Sequence, residues 1–161
     1  MLAAEHETLR FAQAGGRGVT LRYGAFYAPY APSTVDSARL ARRGFFPVLG
    51  SGAQFFSSID VDDAATAAVA ALRVNSGVYN VVDDEPLPFR DYVAAVGTGV
   101  GVTQRLRLPG WLVRAVFGEG SHVFLLSRRV SNRRFCSAAG WQAHATAARL
   151  TAAVRDIAAA Q

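Results

Sequence analysis

The chain alternates between segments that predict strands and segments that predict helices, and this alternation restricts its fold more than any other feature. Helix formers over residues 2–14 precede β-branched and aromatic residues over 19–27, and the same change recurs toward the C-terminus. Ser33 or Thr34 can cap a second helix. Further helices are predicted over about 33–43, 64–72, 89–100, 108–118 and 145–160, and further strands over 45–50, around Ile59 and over 77–86. Such alternation predicts an α/β fold.

The composition is typical of a soluble domain. Of the 161 residues, 51% are hydrophobic, enough for one globular core or for part of a larger one. No apolar run reaches membrane-spanning length, and Glu5 and Glu7 stand where a secretory signal would be basic. We therefore expect a cytoplasmic protein with no membrane partner. The single cysteine, Cys136, excludes an intrachain disulfide and a cysteine-based zinc site.

Arginine alone carries the positive charge of the chain. The net charge is +5 and the sequence pI is about 10.1. All 17 basic residues are arginines scattered along the sequence, and there is no lysine. No basic run is interleaved with aromatic residues, so the charge predicts a solvated surface and no nucleic-acid partner.

The acidic stretch "IDVDD" lies directly before an alanine-rich segment. Its apolar residues alternate with Asp60 and Asp62, as at the end of a strand with one buried face. Asp62 or Asp63 then falls at the N-cap or in the first turn of a helix, where a carboxylate accepts backbone N–H bonds and meets the positive end of the helix dipole. This position accounts for the aspartates without a metal ion.

A metal-dependent enzyme is the alternative interpretation of these carboxylates. With the acidic turn at Asp83 and Asp84, Asp60 and Asp62 are candidate ligands for Mg²⁺, which takes oxygen ligands that converge from separate elements. We expect no metal site, since helix capping and an ordinary acidic turn explain the same residues. No ligand spacing pairs the three histidines, for which structural roles are expected: His6, His122 and His144.

Five blocks of sequence cover nearly the whole chain. They are "AAEHETLRFA", "VTLRYGAFYAP", "LGSGAQFFSSIDVDDAATAAVAAL", "GVYNVVDDEPLPFRDYVAAV" and "SNRRFCSAAGW". In this order they resemble the C-terminal half of the extended short-chain dehydrogenase/reductases, the NAD(P)-dependent epimerase/dehydratase family. The resemblance implies the last part of a Rossmann-type doubly wound sheet plus a small substrate-binding subdomain, with the N-terminal nucleotide-binding half missing. In this single incomplete domain, 1–75 would mix the last Rossmann elements with substrate-binding parts, and 76–161 would be mainly substrate-binding subdomain and C-terminal helices.

The catalytic motifs of this family have no counterpart in the sequence. Glu5 matches the glutamate that follows the lysine of Tyr-x-x-x-Lys by four residues, and the chain contains no lysine. That lysine lowers the pKa of the tyrosine, which exchanges a proton with the substrate. The dinucleotide motif Gly-x-x-Gly-x-x-Gly is also absent, since the glycine clusters at 15–18 and 97–101 are predicted turns. We therefore assign no catalytic residues and expect the chain alone to be inactive.

The resemblance places the nicotinamide end of NAD or NADP at "RYGAFYAP". Tyr23, Gly24, Ala25 and Tyr27 match the positions that cradle the nicotinamide; a strand end with core aromatics is the alternative. Phe56 stands where members that bind nucleotide sugars carry an arginine, which grips a diphosphate as a phenylalanine cannot. Asp60 likewise replaces the family's usual histidine. The expected partner is a small-molecule substrate that is not a nucleotide sugar.

Two functions follow from the resemblance. The first is a fragment of an NAD(P)-dependent epimerase/dehydratase-like oxidoreductase, and the alternative is a non-catalytic module that binds a ligand or a partner. Without the first half of the sheet, strand 19–23 would have an unpaired edge beside exposed apolar surface. We therefore expect self-association, or a partner chain that supplies the nucleotide-binding half.

Overall fold

The structure is a computed structural model and describes residues 2–121, 125–144 and 146–160; His122 and Ala145 lie outside this range. The helices are α1 (Leu2–Gln13), α2 (Pro32–Arg42), α3 (Val61–Ala71), α4 (Phe89–Gly99), α5 (Gly110–Phe117), α6 (Arg133–Ala139) and α7 (Thr146–Ala159), with a 3₁₀ turn at Gly118–Ser121. The strands are β1 (Val19–Tyr23), β2 (Ala25–Tyr27), β3 (Val48–Leu49), β4 (Phe55–Phe56), β5 (Ser58–Asp60), β6 (Gly77–Val81), β7 (Leu87–Pro88) and β8 (Arg107–Leu108). The predicted α/β class is confirmed.

Parallel pairing dominates the described strands. β1 pairs with β6, β2 with β5 and β3 with β8, all parallel, whereas β4 and β7 form an antiparallel pair. The strand predicted over 19–27 is divided at Gly24, because β1 and β2 have different partners. A Cβ atom at Gly24 would lie 2.8 Å from the backbone oxygen of Ser57, so this crossing between partners favours glycine.

We expected one edge of β1 to have no neighbouring strand. In the part of the chain that the structure describes, β1 pairs with β6 alone. On α1, the helix that precedes β1, the side chain of Phe11 is 60% exposed and that of Leu9 is 44% exposed. Apolar surface is therefore open on the element next to this strand.

Two hydrophobic clusters form the core. The first joins α2, α4 and α7 and includes Tyr27, Val96 and Leu150. The second joins α3, β6 and α6 and includes Ile59 and Phe135. Each cluster thus combines residues from before and after position 75, and the predicted division near that position stays a prediction. No described helix has the length and apolar character required to cross a membrane.

One local prediction was wrong in part and a second was wrong. Gly97 and Gly99 lie inside α4, and Gly101, with φ of +73°, forms the turn after it. A Cβ atom at Gly99 would lie 2.6 Å from the Cβ of Val154, so the glycine allows α4 and α7 to pack closely. The start of α2 also differs: Ala31 is the N-cap, without a side-chain hydrogen bond, and the proline at position 32 begins the helix.

Candidate functional site

A cavity of about 690 Å³ runs along β1 and past its C-terminal end. Its lining includes 20–25 from β1 and the start of β2, and Asn80 and Val82 from the end of β6. In open α/β sheets, ligands bind in the crevice outside the carboxyl ends of the strands. The volume also falls within the range of small-molecule sites, about 300–1,000 Å³. The cavity is therefore the candidate site.

Three of the four residues that we matched to a nicotinamide cradle line this cavity. They are Tyr23, Gly24 and Ala25. Tyr27, the fourth, is fully buried in the first core cluster. The hydroxyl of Thr20, in the lining, is buried and has no hydrogen-bond partner in the described chain. This orphaned group fits a polar ligand, and the nicotinamide contact itself stays a prediction.

Tyr23 forms a wall of the cavity. Its hydroxyl donates to the backbone oxygen of Ala64 at 3.2 Å, and its ring centroid lies 5.4 Å from that of Phe26. Burial raises the pKa of the Tyr23 phenol above its ordinary value. The hydroxyl is thus committed to α3 and is a poor proton donor for a substrate.

Glu5 and Arg22 form a two-pronged ion pair beside the cavity. Arg22 donates from Nε to Oε1 of Glu5 at 2.9 Å and from Nη2 to Oε2 at 2.6 Å. The Glu5 side chain is 8% exposed, and the hydrogen bond from Arg22 holds the pKa of its carboxyl below the ordinary value. The pair ties α1 to β1, and the charges of Glu5 and Arg22 neutralise each other.

Aromatic side chains from β4 form a second wall of the cavity. Phe55 and Phe56 line the cavity from β4. The ring of Phe56 packs edge-on against the first core cluster, with its centroid 4.8 Å from that of Tyr92 and 5.9 Å from that of Phe89. The position without the expected arginine is therefore an ordered aromatic surface.

The segment 126–130 completes this wall. The hydroxyl of Ser57 donates to the backbone oxygen of Arg128 at 2.8 Å and accepts from the backbone N–H of Val130 at 3.1 Å. The Arg128 N–H donates in turn to the backbone oxygen of Phe55 at 3.0 Å. Leu126, Arg128 and Val130 thereby reach the cavity. No sequence pattern predicts these contacts, because the partners lie more than 70 residues apart.

The acidic junction between β5 and α3 is a capping structure. Asp60 is the N-cap of α3 and accepts the backbone N–H of Asp62 at 3.0 Å and of Asp63 at 3.4 Å. We predicted Asp62 or Asp63 at the N-cap or in the first turn, and both lie in the first turn, so the second of these positions is confirmed. Asp60 also accepts Nη2 of Arg149 at 3.3 Å, which ties α7 to this junction.

Asp63 ties the C-terminal segment to α3. It is 4% exposed and accepts the backbone N–H of His144 at 3.0 Å, and the Nδ1 atom of the same histidine lies 2.6 Å from Oδ1. His144 thus has a structural contact, as we expected. Asp62, by contrast, is exposed and accepts the Tyr30 hydroxyl at 3.1 Å.

Asp83 is the most perturbed carboxyl of the junction. Burial raises its pKa to about 6, although the hydroxyl of Thr146 donates to its Oδ2 at 2.7 Å. Its neighbour Asp84 accepts from Asn132 at 2.7 Å. No group of three or more candidate metal ligands occurs among the residues that the structure describes. Each of these carboxylates accepts at least one hydrogen bond from the protein, although the buried Oδ1 of Asp83 has no partner in the described chain. The expectation of no metal site stays a prediction.

Comparisons with known proteins agree on one family. No protein-family model matches the chain. It is 33% identical over 129 residues to the 3-diazoavenalumate denitrifying reductase of a Streptomyces species. The matched residues cover 78% of this chain and 42% of that protein. It is 34% identical over 119 residues to mouse epimerase family protein SDR39U1, and this match covers 72% of this chain and 40% of that protein. The chain spans less than half the length of these curated relatives.

Solved structures agree as well. Human epimerase family protein SDR39U1, crystallised with NADPH, has a TM-score of 0.70 at 28% identity, over 89% of this chain and 49% of that one. The chain belongs to the epimerase-type extended short-chain dehydrogenase/reductases and corresponds to their C-terminal half. MoeE5, in complex with UDP-glucuronic acid and NAD, has a TM-score of 0.73 at 21% identity, over 99% of this chain and 54% of that one, which supports the Rossmann-type fold.

Proposed function

We propose that the chain forms the substrate-binding part, and the nicotinamide-side wall, of an NAD(P)-dependent epimerase/dehydratase-like oxidoreductase. The cavity at the carboxyl ends of β1 and β6 carries the proposal, because cofactor and substrate meet at this edge of an open parallel sheet. The NADPH in the human relative's crystal structure and the reductase name of the Streptomyces relative support it.

The residues of the chain have defined parts in this proposal. Tyr23, Gly24 and Ala25 hold the nicotinamide end of NAD or NADP, and the Thr20 hydroxyl offers it or the substrate a hydrogen bond. When bound, the nicotinamide supplies or accepts a hydride. Phe55 and Phe56 exclude water from the reacting atoms. Tyr27 stays buried in the core, where it anchors the end of β2.

The acid–base groups come from outside this sequence in our proposal. Tyr23 donates to a backbone oxygen and has a raised pKa, and the 161 residues contain no lysine. We infer that a second polypeptide segment supplies the tyrosine–lysine pair and the phosphate-binding turn, either upstream of Leu2 or as a separate chain that pairs with the open edge of β1. The missing lysine also favours the alternative, a non-catalytic module that binds a ligand or a partner.

A fusion protein tests the oxidoreductase proposal. The N-terminal half of the mycobacterial epimerase family protein, which is 31% identical to this chain over 134 residues, is placed ahead of Leu2. NADPH binding is then followed by the fluorescence of the nicotinamide. We expect the fusion to bind NADPH and the chain alone to bind at least about tenfold more weakly, a difference of about 1.4 kcal/mol.

Two tryptophan substitutions locate the bound nicotinamide. Ala25→Trp fills the cavity, whereas Ala68→Trp adds the same bulk on the exposed face of α3. In the fusion, the first change should weaken NADPH binding about tenfold or more, and the second should leave it unchanged. A folded fusion that binds no NADPH, or one in which both variants bind it equally well, would contradict the proposal.

A further inference from the structure

The chemistry of the cavity lining narrows the substrate class. One wall is aromatic and fixed in place: Phe56 is held by edge contacts with Phe89 and Tyr92, and Phe55 lies beside it. Val130, which is half-buried, adds an aliphatic residue to the lining. A flat apolar ring can therefore lie on a preformed surface without reordering the side chains beneath it.

The lining also offers one uncompensated cation. Of its two arginines, Arg22 is neutralised by Glu5 through two hydrogen bonds. Arg128 makes no side-chain hydrogen bond or ion pair within the described residues, and its side chain is exposed. Its backbone, however, is fixed by hydrogen bonds to Phe55 and Ser57. The guanidinium thus projects from an ordered backbone at the border of the aromatic wall.

A single free guanidinium beside an aromatic wall matches one carboxylate attached to a ring. Arginine binds a carboxylate through two parallel hydrogen bonds, and a diphosphate would call for further donors. Within the described lining, Glu5 is the sole acidic residue, and it is already paired. Building on the proposed function, we propose that the site takes an aromatic carboxylate, with its ring on Phe56 and its carboxylate on Arg128.

Calorimetric titration of the chain with trans-cinnamate and with trans-cinnamamide tests this assignment. The two compounds share the ring and differ in charge. We expect cinnamate to bind about tenfold or more tightly than the amide. Arg128→Gln should remove this preference, while Arg129→Gln should keep it. Arg129 is a matched control, because it is exposed and adjacent and its guanidinium lies 4.9 Å from the centroid of the Phe55 ring, outside the cavity lining.

The inference is overturned if acid and amide bind equally, if neither binds saturably, or if both arginine variants lose the preference. Thermal unfolding of the two variants verifies that both are folded. The titration requires neither cofactor nor turnover, so it separates two failures. Selective cinnamate binding with no NADPH binding by the fusion would refute the proposed function alone. NADPH binding without discrimination between acid and amide would refute the substrate class alone.

Discussion

Replacing Asp63 by alanine should destabilise the chain far more than the same replacement at Asp62. Both residues lie in the first turn of α3. Each variant loses a similar interaction with the helix dipole, about 0.3–1 kcal/mol, and gains the same helix propensity. The two sites differ in their contacts, because Asp63 is 4% exposed and accepts the backbone N–H of His144. Asp62 is exposed and accepts the Tyr30 hydroxyl.

The free energies of unfolding of the two variants should differ by about 1.5–3 kcal/mol, the value of a hydrogen bond to a charged acceptor. The ring of His144 adds little, because its side chain is 60% exposed and can hydrogen-bond to water. For a chain of this size the difference corresponds to roughly 3–12 °C in the midpoint of thermal unfolding, measured by circular dichroism. Equal midpoints would refute the conclusion that Asp63 holds the C-terminal segment on α3.

Two further substitutions test the core. Gly99→Ala brings a Cβ atom to 2.6 Å from the Cβ of Val154, whereas nothing lies within 4 Å of a Cβ atom at Gly110. In urea unfolding, Gly99→Ala should therefore be less stable than Gly110→Ala by about 1–3 kcal/mol. Equal stabilities would contradict the close packing of α4 against α7. Burial raises the pKa of Asp83 from 3.8 to about 6, so the folded state retains a proton that the unfolded state releases in this window. The free energy of unfolding should therefore fall as the pH rises from about 4 to 6, by at most about 3 kcal/mol. Asp83→Asn should flatten that fall, and an unchanged pH profile would contradict the role of Asp83.

Long periodic helices could be predicted from the sequence, and pairings between distant segments could not. The predicted helix over 89–100 corresponds to α4, which ends at Gly99. The short strands β4, β7 and β8 exist because each finds a partner far along the chain, and two residues carry no periodicity. Asp60 was not predicted as the N-cap of α3, because it ends β5 in extended geometry, with φ of −63° and ψ of 140°, which is also the geometry of an N-cap.

The candidate site was predicted in part. The resemblance placed Tyr23, Gly24 and Ala25 at a ligand site, and they line the cavity. Tyr27 lies in the core although Ala25, two residues earlier on the same face of β2, is exposed. Strand periodicity could not separate the two residues, because only tertiary packing buries the end of β2. Arg128 belongs to a basic pair that looked like ordinary solvated surface. Arg128 lines the cavity because its backbone is hydrogen-bonded to Ser57, and these two residues become neighbours only when the chain folds.

In our proposal, ligand binding and turnover depend on different parts of the protein. The substrate side of the cavity is held by contacts within the sequence, from Ser57 to segment 126–130 and from Phe56 to α4. The strand end that carries Tyr23 is fixed by pairing with β6. None of these contacts involves a tyrosine–lysine pair or a phosphate-binding turn, so ligand recognition can persist where proton transfer cannot. Selective binding of an aromatic acid by the chain alone would thus show that ligand recognition needs no second segment, whereas NADPH binding by the fusion tests the cofactor site that such a segment completes.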